Sequence, residues 1–134
     1  MNYIDNGMLT VRAYTAGGAL PVAKSVVKII GADENNRFVE FSLVTDVDGS
    51  TQKIALPSPP KSLSLSPGAQ DVPYAVYDIE ISADGYYTKR ITNVAVFSDT
   101  EALQLINMIP ISIENGEIYP RGNLDTLVLE NEYL

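Results

Sequence analysis

The run Tyr77-Asp78-Ile79-Glu80-Ile81-Ser82-Ala83-Asp84-Gly85-Tyr86-Tyr87 constrains the fold more than any other stretch of this chain. Tyr77, Ile79 and Ile81 alternate with Asp78, Glu80 and Ser82, which places apolar and polar side chains on opposite faces of an extended strand. The alternation stops at Ala83-Asp84-Gly85, where Asp tolerates turn geometry and Gly supplies a positive φ at no steric cost. A second extended run starts at once with Tyr86-Tyr87-Thr88-Lys89-Arg90-Ile91. The stretch predicts a β-hairpin.

The same period recurs on both sides of it. Leu9, Val11 and Ala13 alternate with Thr10, Arg12 and Tyr14 in a first half-buried strand, after polar lead-in residues 1–7. In the β-branched run 25–30, Ser25, Val27 and Ile29 share the parity expected to face inward. A third strand over 37–45 sets Val39, Phe41 and Leu43 against Glu40 and Ser42. A short fourth strand over 51–56 points Ile54 and Leu56 one way and Lys53 the other. Residues 57–73 hold five of the eight prolines and four serines, and their missing amide donors make ladder pairing unfavourable. A long crossover between two sheets is the expected role of that segment.

Beyond the hairpin, Ile91, Val94 and Val96 do not share one parity, which predicts a bulge near Thr92-Asn93. Leu103, Leu105 and Ile109 on one parity, with Ile106 and Met108 on the other, predict a last strand covered on both faces. The count is about seven strands with turn signals between them, so the expected fold is all-β: a seven-stranded antiparallel β-sandwich over residues 8–111. Residues 112–134 carry five acidic groups and one basic, and are expected to form an acidic C-terminal extension.

Composition removes several classes of chemistry. The chain of 134 residues has neither cysteine nor histidine, which leaves no disulfide framework, no thiolate or Ser-His nucleophile and none of the common zinc sites. Its net charge of −8 and scattered basic residues do not provide the cationic cluster that nucleic-acid binding uses. No apolar run approaches the roughly 20 residues of a membrane helix, and the start lacks the basic and apolar regions of a secretion signal. The expectation is therefore no nucleic acid, no membrane insertion, and a cytoplasmic location.

Three motifs invite chemical readings. Asp46-x-Asp48-Gly49-Ser50 opens like a calcium loop, but Gln52 to Leu56 supply no further ligands, and a hairpin turn is the expectation. Asp78 and Glu80 lie about 7 Å apart on one strand face, a spacing compatible with paired carboxylates but expected for a solvated face. Ser58, Ser62, Ser64 and Ser66 near Lys61 read as a low-complexity loop rather than a nucleophile. The surface candidates for binding are Tyr86, Tyr87, Lys89 and Arg90, because aromatic side chains give contact area at low ordering cost and arginine gives planar hydrogen bonding. Of the two adjacent tyrosines, one must face inward.

The order of Leu9-Thr10-Val11, Ala19-Leu20-Pro21-Val22, Ser25-Val26-Val27-Lys28-Ile29, Thr45-Asp46-Val47-Asp48-Gly49, Leu56-Pro57-Ser58-Pro59-Pro60 and Gly85-Tyr86 resembles the carboxypeptidase regulatory-like, or prealbumin-like, domain. It resembles more closely the non-catalytic N-terminal region of clostridial spore cortex-lytic and peptidoglycan-binding proteins. There a Leu-Pro-x-Pro-Pro segment, a Gly-Tyr turn, an Asn-Val-x-Val-Phe strand and an Asn-x-Ile-Pro ending follow in the order found here at Leu56 to Pro60, Gly85-Tyr86, Asn93 to Phe97 and Asn107 to Pro110. This resemblance implies a non-enzymatic accessory or binding domain, without cofactor, that meets a protein or cell-wall partner in a spore-forming bacterium, and it adds a spore-associated location as the alternative to a cytoplasmic one. The alternative is self-association, as a structural component of a spore layer or a phage-like particle.

Overall fold

The computed structural model describes residues 3–60 and 72–111, together with the backbone of Ile113–Glu114, Glu117–Ile118 and Thr126–Glu130. In chain order the strands are β1 (Asp5–Thr15), β2 (Leu20–Pro21), β3 (Val26–Gly31), β4 (Glu40–Val44), β5 (Ile54–Ser58) and β6 (Ala75–Ser82). They continue as β7 (Thr88–Val96), β8 (Glu101–Asn107), β9 (Ile113–Glu114), β10 (Glu117–Ile118) and β11 (Thr126–Glu130), and a single 3₁₀ turn, Ala16–Gly18, joins β1 to β2. Among the described residues no helix is long and apolar enough to cross a membrane.

The fold is the expected β-sandwich. Its first sheet is built around β1, which pairs antiparallel with β5 through Asp5 to Leu9 and with β2 through Tyr14 and Thr15. On its other side β1 takes β8 in parallel, from Met8 opposite Glu101 to Tyr14 opposite Asn107. The second sheet has the order β11-β7-β6-β3-β4, with β11 parallel to β7 and the remaining pairs antiparallel. Both sheets are therefore mixed, where the sequence reading expects antiparallel pairing throughout. Alternation fixes which face a residue takes and carries no information on the direction of the neighbouring strand.

In β1, β3 and β6 the inward parity is the one read from the sequence. Leu9, Val11 and Ala13 of β1 meet Val27 and Ile29 of β3 and Ala75, Tyr77, Ile79 and Ile81 of β6 in one buried cluster. Burying an aliphatic side chain of this size contributes roughly 1.5–3 kcal/mol, so these strands supply most of the drive to pair the sheets. Tyr77 is fully buried and spans the sandwich: its hydroxyl, on the second sheet, donates to the Pro57 carbonyl on β5 of the first at 2.6 Å. Burial pushes its phenol above the ordinary value of 10.

The hairpin forms as expected, with Ile81 opposite Lys89 and Ile79 opposite Ile91, and Gly85 in the turn at φ +83°. The bulge falls where parity breaks. Register slips between Tyr77 and Ile79, Thr92 and Asn93 both oppose Asp78, and Asn93 takes φ +61°. The segment 57–73 does join the two sheets, since β5 lies in the first and β6 in the second. Pro57 and Ser58 nevertheless pair with Asn6 and Asp5, which an edge strand permits because the proline needs no donor on its free side. Residues 61–71 lie outside the described residues, and Lys61, Ser62, Ser64 and Ser66 with them.

A second expectation is corrected. The last strand is not covered on both faces: Ile106 and Met108 are buried, but Leu103 is 50% and Leu105 38% exposed. β8 is an edge strand whose odd residues stand on the outer face of the first sheet, and Asn107 there is exposed as well. Towards the ends, β1 begins at Asp5, within the stretch read as a lead-in. β11 lies within the acidic extension and adds a strand to the second sheet.

Candidate functional site

The four sequence-predicted surface residues are not gathered on one face. Tyr87 and Lys89 point inward at 7% and 5% exposure, and Tyr86 packs against the core beside the bridge it makes with Pro110. Desolvation lowers the Lys89 ammonium below its ordinary value, as expected for a side chain whose stem is buried. Arg90 is exposed but committed, donating to Asp78 Oδ2 at 3.0 Å.

The carboxylates singled out in the sequence have local duties. Asp78 also accepts the Asn93 amide at 3.4 Å, so it ties down both sides of the bulge rather than standing free in solvent. Asp46 Oδ1 accepts the amides of Asp48 at 2.9 Å and Ser50 at 3.1 Å, and its backbone exchanges bonds with Ser50 and Gly49: the loop is the expected turn. Asp33 accepts the Asn35 and Val76 amides, each at 2.8 Å, and the Tyr3 hydroxyl at 3.0 Å. Among the described residues no group of three or more carboxylates is placed to hold a metal ion.

A different surface has unspent polar groups, and it lies on the outer face of the first sheet. Arg12 and Tyr14 occupy the outward parity of β1, two residues apart, so their side chains stand on the same face. A hollow of about 480 Å³ over β8 is lined by Arg12, Tyr14, Gly17, Gly18, Leu105 and Asn107. A second, of about 400 Å³, opens on the other flank of Tyr14, where Pro21, Asp48 and Ser50 join Arg12 in the lining.

The turn at Asp46–Ser50 positions this site. Gly49 lies against β1, its carbonyl accepting the Ala13 amide at 2.7 Å, and a Cβ there would sit 2.3 Å from the Ala13 carbonyl oxygen. With φ +77° as well, the position is closed to any other residue without displacement. That close approach brings Ser50 beside Arg12, whose Nε donates to Ser50 Oγ at 3.0 Å. The guanidinium is thus oriented through Nε while its terminal nitrogens form no ion pair among the described residues. Neither the Tyr14 hydroxyl nor the Asn107 amide has a side-chain hydrogen bond there either.

The sequence reading names Arg12 and Tyr14 only as the polar parity of the first strand and does not select them. The available signal is an aromatic residue on the solvent parity, beside a cation, just before a Gly-Gly turn. Leu105 and Asn107 carried no signal, because their role depends on the pairing of β8 with β1 across more than 90 residues of chain.

No family model matches the chain, and no curated protein matches it. Solved structures do. Catechol 1,2-dioxygenase from Pseudomonas arvilla C-1 superposes with a TM-score of 0.53 at 14% identity, over 90% of this chain and 57% of that one. A "putative carbohydrate binding protein" from Bacteroides uniformis ATCC 8492 gives 0.50 at 12% identity, over 87% of this chain and 48% of that one. The Bacillus anthracis TIE protein gives 0.50 at 12% identity, over 80% of this chain and 17% of that one. The chain spans between 17% and 57% of the lengths of these proteins. At such identities the likeness is one of fold, and the fold they share with this chain is a β-sandwich.

Proposed function

We propose that this chain is a non-catalytic binding module that docks through the outer face of its β1–β8 sheet onto a cell-envelope partner, with peptidoglycan or a spore-layer glycan as the target. The observation that carries this reading is the convergence of Arg12, Tyr14 and Asn107, each with hydrogen-bonding capacity unused among the described residues, on one open hollow of a rigid sheet. Ligand sites place a few polar groups around an apolar platform in this way. The fold likeness to the Bacteroides uniformis protein, whose name describes carbohydrate binding, supports the same direction. The dioxygenase likeness, at 14% identity, is one of fold alone and carries no activity over to this chain.

The test is retention on purified peptidoglycan, comparing the full chain with Tyr14→Ala. Retention that the substitution abolishes supports the module and its face; passage of the wild type through the matrix sinks it.

A second reading, self-assembly, has its own observation. β8 is an edge strand with Leu103 and Leu105 exposed, and an apolar open edge is a template for strand addition. Sedimentation over a hundredfold concentration range, with Leu103→Lys as control, separates the two. Oligomers abolished by the lysine favour assembly, and a monomer throughout favours the accessory module.

A further inference from the structure

The hollow over β8 has a chemistry that selects a ligand class, a step that rests on the binding-module reading above. Register places Tyr14 opposite Asn107 and Arg12 opposite Leu105. Strand geometry separates the two rows by about 7 Å and the two strands by about 5 Å. The four side chains thus form a two-by-two patch with the footprint of a single pyranose ring. Tyr14 and Leu105 offer apolar surface to the C–H face of a sugar, and Asn107 offers both a donor and an acceptor to its hydroxyls.

Arg12 decides the charge. Among the described residues it is the only charged one lining this hollow, and no carboxylate is among them; Asp48 lies in the neighbouring hollow, beyond Tyr14. Its Nε is held by Ser50 Oγ, which leaves the terminal nitrogens for paired hydrogen bonds of the kind carboxylates accept. Gly17 and Gly18 have no heavy atom within 4 Å of where a Cβ would stand, so the end of the hollow stays open to a ring. The geometry points to a sugar acid: one pyranose ring on Tyr14, its carboxylate on Arg12 and a hydroxyl on Asn107. The chain's net charge of −8 opposes an anion at long range, so recognition depends on contacts within a screening length of about 8 Å at physiological salt.

The experiment is a set of NMR titrations of the isotope-labelled full chain with D-glucuronate, methyl glucoside and acetate. The expected result is saturable shifts by glucuronate at the amides of Arg12, Tyr14, Leu105 and Asn107, with methyl glucoside and acetate each at least about fivefold weaker. Arg12→Gln should weaken glucuronate about tenfold, the scale of one charge-assisted hydrogen bond, and Arg12→Lys should restore only part of it. Arg12 is exposed to solvent in the wild type, and an unchanged urea midpoint verifies that each variant folds. Equal binding of methyl glucoside removes the role of the carboxylate, equal binding of acetate removes that of the ring, and either overturns the inference. So does the absence of saturable shifts. If peptidoglycan still retains the full chain in that last case, only the ligand assignment fails; if it does not, the binding-module reading fails with it.

Discussion

Gly49 and Gly85 both sit at positive φ, +77° and +83°, yet their surroundings differ so sharply that alanine at the two positions should have very different costs. At Gly85 a Cβ meets nothing within 4 Å. Only the backbone term remains: about 1–2 kcal/mol for holding an L-residue in the left-handed region, offset by about 0.4–1 kcal/mol from the stiffer unfolded chain. The net destabilisation for Gly85→Ala is about 1 kcal/mol, and Gly85→Val, bulkier and β-branched, should exceed that. At Gly49 the Cβ would lie 2.3 Å from the Ala13 carbonyl oxygen, so β1 and the turn must separate. That movement weakens the bonds from Ala13 N to the Gly49 carbonyl and from Val22 N to the Ala13 carbonyl, each worth about 1 kcal/mol. Gly49→Ala should therefore cost about 3 kcal/mol. With a urea slope of about 1.5 kcal/mol/M, the midpoints fall by roughly 0.7 M and 2 M respectively. Equal midpoints for the two variants would refute the argument that the turn is wedged against β1, and with it the account of how Ser50 reaches Arg12.

Three further perturbations test the interior. Tyr77→Phe removes the cross-sandwich bond to Pro57 and should cost about 1–2 kcal/mol at neutral pH. Because burial raises the Tyr77 phenol, the unfolded chain loses that proton above pH 10 while the folded one keeps it. Wild-type stability attributable to Tyr77 is complete below pH 10 and falls at up to about 1.4 kcal/mol per pH unit above it. Denaturant curves from pH 8 to 11 should show a shallower alkaline loss in the variant, and identical slopes would sink the point. Ser58 Oγ is buried without a hydrogen-bond partner among the described residues, so Ser58→Ala should raise the thermal midpoint, by about 1 kcal/mol of stability; a loss would mean the hydroxyl is satisfied. Asn36, fully buried, accepts the Asp33 amide and donates to the Val76 carbonyl, each at 2.9 Å, and Asn36→Ala should cost about 2–4 kcal/mol in urea. A cost below 1 kcal/mol would remove Asn36 as the pin of that loop.

Much of the sandwich was legible before any strand was paired. The hairpin at Ala83-Asp84-Gly85, the bulge at Thr92-Asn93, the inward parities of β1 and β3 and the turn at Asp46–Ser50 all follow from local rules. Alternation, a glycine at positive φ and a broken parity are consequences of a few neighbouring residues and need no partner. The binding candidates Tyr86, Tyr87, Lys89 and Arg90 stand adjacent in sequence, but strand alternation sends them to opposite faces. Their spatial neighbours then absorb them: the core takes Tyr87, and Asp78 takes Arg90.

What only the tertiary structure decided is which strand lies beside which, in what direction, and which faces remain uncovered. The parallel docking of β8 on β1 joins Leu105 and Asn107 to Arg12 and Tyr14, and no local pattern encodes that register. The same docking leaves Leu103 and Leu105 on an outer face where apolar parity alone predicts burial. The sequence determined the period and the turns because those are set by backbone sterics and neighbouring side chains. The site emerged only on folding, because it is made of contacts between segments that local rules cannot relate.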